Sequence, residues 1–262
     1  MRMIEANGIA LHVREDGDPA GKPVVFSNSL STDLRLWDAI LPLLPAGLRL
    51  IRYDKRGHGL SDCPDGPYAL DDLVADAEAL LEALDIRDCV FVGLSVGGLT
   101  GQDLAGRRPD LIRAAVLSNT AARMGDPAMW QARMEAIRAG GLDSIAEAVM
   151  DRWFGPAFRH RPEVAAWKNM MTRMPREGYL GCCAAIAAAD LTECTAALTL
   201  PVLGISGSAD GACPAENTAA MIETIAGARM EVIDGTGHLP CVEEPETYAR
   251  LLTEFLEETG HV

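Results

Sequence analysis

Positive charge is scarce in this chain: 23 Lys and Arg stand against 38 Asp and Glu among 262 residues, a formal net charge of −15 and a pI near 4.7. Nucleic acids and anionic lipid surfaces are bound through concentrated basic faces, and the few cations here are scattered, so neither partner is expected. The same field repels a small anion at long range. If the substrate carries a carboxylate, a buried Arg or Lys has to hold it locally. Long apolar runs are also missing. The longest, 182–189, is too short for a bilayer-spanning helix, and the opening Met-Arg-Met-Ile-Glu-Ala-Asn-Gly lacks the apolar stretch of a leader, so a cytoplasmic protein is expected. The cysteines, Cys63, Cys89, Cys182, Cys183, Cys194, Cys213 and Cys241, are odd in number and lack metal-ligand spacing. They read as free thiols in a reducing compartment, with no metal site. Repeats and low-complexity linkers are absent, and the length fits one large α/β domain with an insertion.

What is present alternates strongly. Met3 to Glu5 and Ile9 to Arg14 flank Asn7-Gly8, a hairpin dipeptide, and predict an antiparallel edge. From Val24-Val25-Phe26 onward apolar strands and helical patterns take turns: a helix over 37–44, a strand over 49–53, and a helix over 70–84 with Leu70, Leu73, Val74, Leu80, Leu81 and Leu84 in one stripe. The strand Cys89-Val90-Phe91-Val92, a helix to about 107 stopped by Pro109, and a strand over 114–118 follow. The alternation then breaks. Residues 120–198 carry helical patterns only (129–139, 145–153, 164–174, 179–189), after which a strand over 202–206, a helix over 215–225, a strand over 229–233 and a helix over 245–256 complete the chain. Repeated βα units predict a mostly parallel eight-stranded sheet with helices on both faces. The helical interruption predicts a cap at 121–198 over the carboxyl ends of the strands, inserted after the sixth strand into a core of 1–120 and 199–262.

Gly93-Leu94-Ser95-Val96-Gly97-Gly98 stands where the strand Cys89 to Val92 meets a small-residue helix start. At such a strand-turn-helix elbow the serine adopts a sparsely populated backbone conformation that lifts its hydroxyl above the sheet, and side chains two residues away would collide. Glycine at 93 and 97 removes the collision. A serine needs a base, and the base needs an orienting carboxylate. His238, in Asp234-Gly235-Thr236-Gly237-His238, follows the last strand; Asp210, in Ser206-Gly207-Ser208-Ala209-Asp210-Gly211, follows the one before. Both belong on the rim that carries Ser95, and the order Ser95, Asp210, His238 is that of the α/β hydrolases. The developing oxyanion needs N–H donors: Val96 at the helix start, and one from the loop Ser27-Asn28-Ser29-Leu30. His12, His58, His160 and His261 compete poorly for the base, and Asp54-Lys55-Arg56-Gly57-His58-Gly59 reads as a hydrogen-bonded structural turn beneath the active-site loops.

The run Arg52 to Ser61, the elbow and the late Gly237-His238 are general α/β-hydrolase features. Ser27-Asn28-Ser29-Leu30, Asn119-Thr120-Ala121-Ala122-Arg123 ahead of Trp130, and Gly178-Tyr179 before Cys182-Cys183-Ala184-Ala185 are narrower, and with them the chain resembles the 3-oxoadipate enol-lactonases over almost its whole length. Lys55 and Val96 depart from the family's pattern without touching the triad. Where many relatives carry His-Gly this chain has Asn28-Ser29, a register that makes the N–H of Leu30 the second oxyanion donor; a shift of one residue would move the role to Ser29. The resemblance implies hydrolysis of 3-oxoadipate enol-lactone, a step in bacterial degradation of protocatechuate and catechol, with no metal or organic cofactor. The substrate is then a small anionic lactone. Its carboxylate calls for a cation, and Arg123 and Arg133 are the nearest candidates, with Lys168 and Arg173 farther along; Trp130 and Trp153 are candidates for the pocket wall. A general carboxylesterase or perhydrolase shares the triad, and a non-catalytic small-molecule receptor shares the fold. Subunit number stays open.

Overall fold

The computed structural model describes residues 2–262. Strands β1 (Arg2–Ala6) and β2 (Ile9–Gly17) form the edge hairpin, turning at Asn7 and Gly8, both with positive φ. The core continues through β3 (Lys22–Ser27), β4 (Leu48–Tyr53), α1 (Leu70–Ala83), β5 (Cys89–Leu94), α2 (Val96–Arg107) and β6 (Ile112–Ser118). Five helices follow without a strand: α3 (Pro127–Gly140), α4 (Asp143–Trp153), α5 (Val164–Thr172), α6 (Arg176–Ala188) and α7 (Thr192–Ala196). The chain closes with β7 (Val202–Gly207), α8 (Ala215–Ile222), β8 (Arg229–Ile233), α9 (Pro240–Glu243) and α10 (Pro245–Glu258). One eight-stranded sheet results, in the order β1-β2-β4-β3-β5-β6-β7-β8, parallel except for the β1/β2 and β2/β4 pairs. Among the described residues no helix is long and apolar enough to cross a membrane.

The central strands are apolar on both faces because both faces are covered. Val24, Phe26, Val90, Val92 and Val116 point into one core layer, which α10 closes with Tyr248, Leu251, Leu252 and Phe255. Their neighbours Val25, Phe91, Ala115 and Leu117 point into the other, closed by the stripe of α1 that carries Val74, Ala77, Leu80 and Leu81. The helix expected over 37–44 is instead two 3-10 turns, Leu34–Trp37 and Leu41–Leu43. Pro42 removes an amide donor and disfavours helical geometry at Leu41, while Asp33 caps the first turn by accepting from the N–H of Arg35. Leu36, Trp37 and Ile40 are buried all the same.

The sheet's carboxyl edge is where everything converges. Helix α4 ends against the loops after β7 and β8: Arg152 O accepts from Gly211 N at 3.1 Å and Trp153 O from His238 N at 2.7 Å. The inserted helices are thereby tied by main-chain bonds to the two loops that carry Asp210 and His238.

Candidate active site

Ser95 links β5 to α2 with φ 58° and ψ −118°, a region that costs a non-glycine residue about 1–3 kcal/mol. Its N–H is held by Ser118 O at 2.9 Å, and its C=O by the hydroxyl of Thr120 at 2.9 Å. The flanking glycines are sterically required. A Cβ on Gly93 would lie 2.3 Å from Gly97 O, and one on Gly97 would lie 2.1 Å from Ser27 O. Because that second clash is with backbone at the end of β3, Gly97→Ala is expected to destabilise by about 3 kcal/mol, a fall of about 6–12 °C in Tm by calorimetry. Activity should drop in the fraction that remains folded.

Asp210, at the end of β7, is saturated with donors. Oδ1 accepts from the N–H groups of Ala212 (2.7 Å) and Cys213 (3.0 Å), while Oδ2 accepts from His238 Nδ1 and from Asn119 Nδ2, both at 2.8 Å. With Nδ1 donating, Nε2 of His238 is the free acceptor a general base requires. Nε2 faces the hydroxyl of Ser29 at 3.3 Å, and Ser95 lines the same cavity. Among the described residues no hydrogen bond joins Ser95 to His238. Trp153 stacks on the imidazole, with ring centroids 6.5 Å apart and planes 24° apart.

Leu30 lines the cavity opposite, and Val96 opens α2 directly after Ser95. Neither N–H donates to a protein acceptor among the described residues. The Asp54 turn braces this loop from below: Asp54 accepts from Leu34 N (2.7 Å), Leu60 N (2.9 Å) and His12 Nδ1 (2.7 Å), and His58 Nε2 accepts from Ser31 N at 3.0 Å. Burial, seconded by the charge of Lys55, pushes His58 well below the usual histidine range, which keeps that acceptor neutral.

The cavity itself holds about 30 Å³, the share of about one liquid water. Its far wall is Met124, Met129, Trp130, Arg133, Arg152 and Trp153. A ligand larger than water needs these side chains to yield, and the two methionines are the readiest to do so. Trp130 is fixed by its indole N–H on Met124 O at 2.6 Å, with the Arg133 guanidinium 5.0 Å above its ring. Arg133 also donates weakly to the Tyr179 hydroxyl at 3.4 Å. Arg152, at the end of α4, was not singled out by the sequence, which marked it only as part of a helix. Its Nε is buried without a partner, and burial first, then the charge of Arg133, lowers its pKa. Among the described residues neither arginine sits in an ion pair. Arg123, by contrast, is not brought to Ser95. Leu191 N binds Ala122 O at 2.9 Å, and the next side chain is left on the outer surface, half-exposed and 4.0 Å from Asp190.

Glu243 is a further residue that the sequence did not mark. Its carboxylate accepts from Gly237 N (2.7 Å) and Gly155 N (2.9 Å), stitching the His238 loop to the end of α4. Burial raises its pKa from 4.5 to about 7 against the pull of those two bonds. The native state therefore holds this proton more tightly than the unfolded chain does. The associated stability is complete below pH 4.5 and is lost as pH rises through about 7. In Glu243→Gln that slope disappears, so the Tm advantage of the unaltered protein over the variant is expected to be largest near pH 5 and smallest above pH 7.

A model of the alpha/beta hydrolase family matches residues 24–251. The chain belongs to that family. This hydrolase is 36% identical over 247 residues to 3-oxoadipate enol-lactonase 2 of Acinetobacter baylyi, covering 94% of this chain and 92% of that one. The crystal structure of an enol-lactonase from Burkholderia xenovorans LB400 superposes with a TM-score of 0.94 at 36% identity, over 98% of the hydrolase and 100% of the other chain. A malate-bound thermophilic esterase from Thermogutta terrifontis reaches 0.93 at 28% identity, over the whole of both chains.

Proposed function

We propose that this hydrolase opens 3-oxoadipate enol-lactone to 3-oxoadipate, with Ser95 as nucleophile, His238 as general base and acid, and Asp210 as its orienting carboxylate. The observation that carries this reading is one small cavity that brings Ser95 and His238, the latter bonded to Asp210, beside two guanidinium groups without an ion-pair partner among the described residues. An acidic protein that sets two half-buried arginines without ion-pair partners beside a nucleophile is arranged for an anionic substrate. The enol-lactonases among its relatives fit the same substrate. The helices of 121–198 act as a cap on a core of 1–120 and 199–262. The seven free thiols fit the cytoplasm, where we place the protein.

Ser95 Oγ attacks the lactone carbonyl as its proton passes to His238 Nε2, and the N–H groups of Leu30 and Val96 receive the oxyanion. Collapse breaks the ring C–O bond. The enol oxygen leaves with the proton held on His238, a better leaving group than an alkoxide. Water then gives its proton to His238 and attacks the acyl carbon, releasing a carboxylate and regenerating Ser95, while the enol relaxes to the ketone. The substrate's own carboxylate lies against Arg133 and Arg152, for which a planar fork suits better than a point charge.

Truncating one arginine leaves the anion half-paired, so Arg152→Ala is expected to lower kcat/KM for the enol-lactone about 100-fold, mostly through KM, and to change the rate on its neutral methyl ester less than threefold. Equal losses on both substrates would remove Arg152 from the carboxylate site. The esterase similarity favours a second reading, a general carboxylesterase. It predicts that the neutral ester is hydrolysed at least as fast as the anion.

A further inference from the structure

Among the described residues, Lys55 is the one buried lysine, and the chemistry above leaves it unused. It is 4% exposed, lies beneath the Ser27 to Leu30 loop, and donates to Ser29 O at 2.8 Å. An internal ion of this kind costs stability, and well-packed apolar groups replace such charges without loss in many proteins. The sequence had already set Lys55 apart as a departure from the family's pattern.

The atom it holds is informative. Ser29 C=O and Leu30 N–H are the two ends of one rigid trans peptide unit, so fixing the carbonyl on one side fixes the direction of the N–H on the other. Thr32 adds its hydroxyl to the same oxygen at 3.0 Å, and the next peptide is held through Ser31 N on His58 at 3.0 Å. We propose that Lys55 is a positioning residue for the oxyanion site: by gripping the Ser29 carbonyl it aims the N–H of Leu30 at the substrate oxygen attacked from Ser95. Its charge also polarises that peptide, making the N–H a stronger donor than an unassisted amide. The inference rests on the oxyanion role given to Leu30 above.

The grip is sensitive to pH. Burial lowers Lys55 from 10.5 to about 8, opposed by the carboxylates of Asp54 and Asp33 in the core loops, while the Cys182 thiol of α6 also faces it. Burial holds the Cys182 thiol near 12 and keeps His58 neutral, so neither changes charge alongside Lys55 near pH 8. Arg56 stays charged throughout. A neutral amine still donates to Ser29 O but no longer polarises the peptide. The expected signature is a partial fall of kcat/KM centred near pH 8 that levels off at a lower plateau.

The test compares the unaltered protein with Lys55→Met, Lys55→Gln and Ser95→Ala, using the enol-lactone, p-nitrophenyl acetate and phenylboronic acid as a tetrahedral adduct on Ser95. In Lys55→Met, kcat on both esters is expected to fall about 10- to 100-fold with KM within twofold, boronate binding to weaken in step, and the partial limb near pH 8 to vanish. Lys55→Gln, neutral at every pH, should also lack that limb. Lys55→Met with kcat and boronate affinity within twofold of the unaltered protein, and the same high-pH limb, overturns the proposal. If the variants do not fold, the unaltered protein decides: a flat kcat/KM from pH 7 to 9.5 overturns it. Ser95→Ala separates this from the broader reading. Activity or boronate binding that survives in Ser95→Ala defeats the oxyanion assignment itself, whereas loss of both there with no effect at Lys55 defeats the Lys55 role alone.

Discussion

Ser95→Ala is expected to lower kcat on the enol-lactone by on the order of 10⁶ and to leave the protein folded, because the hydroxyl is the only group lost and the elbow's backbone bonds to Ser118 and Thr120 remain. Any residual rate over the spontaneous reaction is expected from the proposed Leu30 and Val96 donors and from binding. His238→Ala added to Ser95→Ala should cost almost nothing more, since the two act as one unit. The backbone supplies an independent check. Ser95 sits at φ 58°, so Ser95→Gly is expected to be as inactive as the alanine variant yet more stable by about 1 kcal/mol, read as a higher Tm.

Asp210→Asn is expected to lower kcat by about 10⁴ with little change in KM. The reason lies in the four bonds the carboxylate accepts. The amide oxygen of an asparagine keeps Ala212 N and Cys213 N, which leaves its NH₂ group where Oδ2 met His238 Nδ1 and Asn119 Nδ2. Donor then faces donor. His238 answers by moving its proton to Nε2 so that Nδ1 can accept, and an Nε2–H cannot take the proton of Ser95. The pH dependence of kcat/KM and the ¹H NMR resonance of the imidazole N–H report this change of tautomer. An Asp210→Asn variant with kcat within tenfold of the unaltered protein would remove Asp210 from its orienting role.

The parts legible in the sequence are those written locally. An unbroken apolar strand such as Cys89-Val90-Phe91-Val92 announces burial on both faces, and glycine at 93 and 97 announces the elbow because a side chain there collides with backbone four residues away or on the neighbouring strand. Asp210 and His238 follow from one topological fact, that loops after parallel strands share a rim. What the sequence missed depends on contacts between distant segments. Arg152 reaches the cavity because α4 ends against the β7 and β8 loops, and nothing in 145–153 encodes that docking. Asn119 appeared only within a family-like run, although its amide holds Asp210. Ser29 was weighed for its N–H, while its hydroxyl faces His238. Arg123 was chosen for nearness in the chain to β6, and a single main-chain bond from Leu191 leaves it outside. The helix expected over 37–44 failed locally, since its apolar spacing masked Pro42.

The most direct measurement is spectrophotometric turnover of 3-oxoadipate enol-lactone by the unaltered protein beside a neutral ester of similar size. The two arginines and the triad predict kcat/KM of at least about 10⁴ M⁻¹ s⁻¹ on the lactone, within the usual enzyme range, and at least about 100-fold preference over the neutral ester. Decay of the lactone at its spontaneous rate, or a neutral ester turned over as fast, would contradict it.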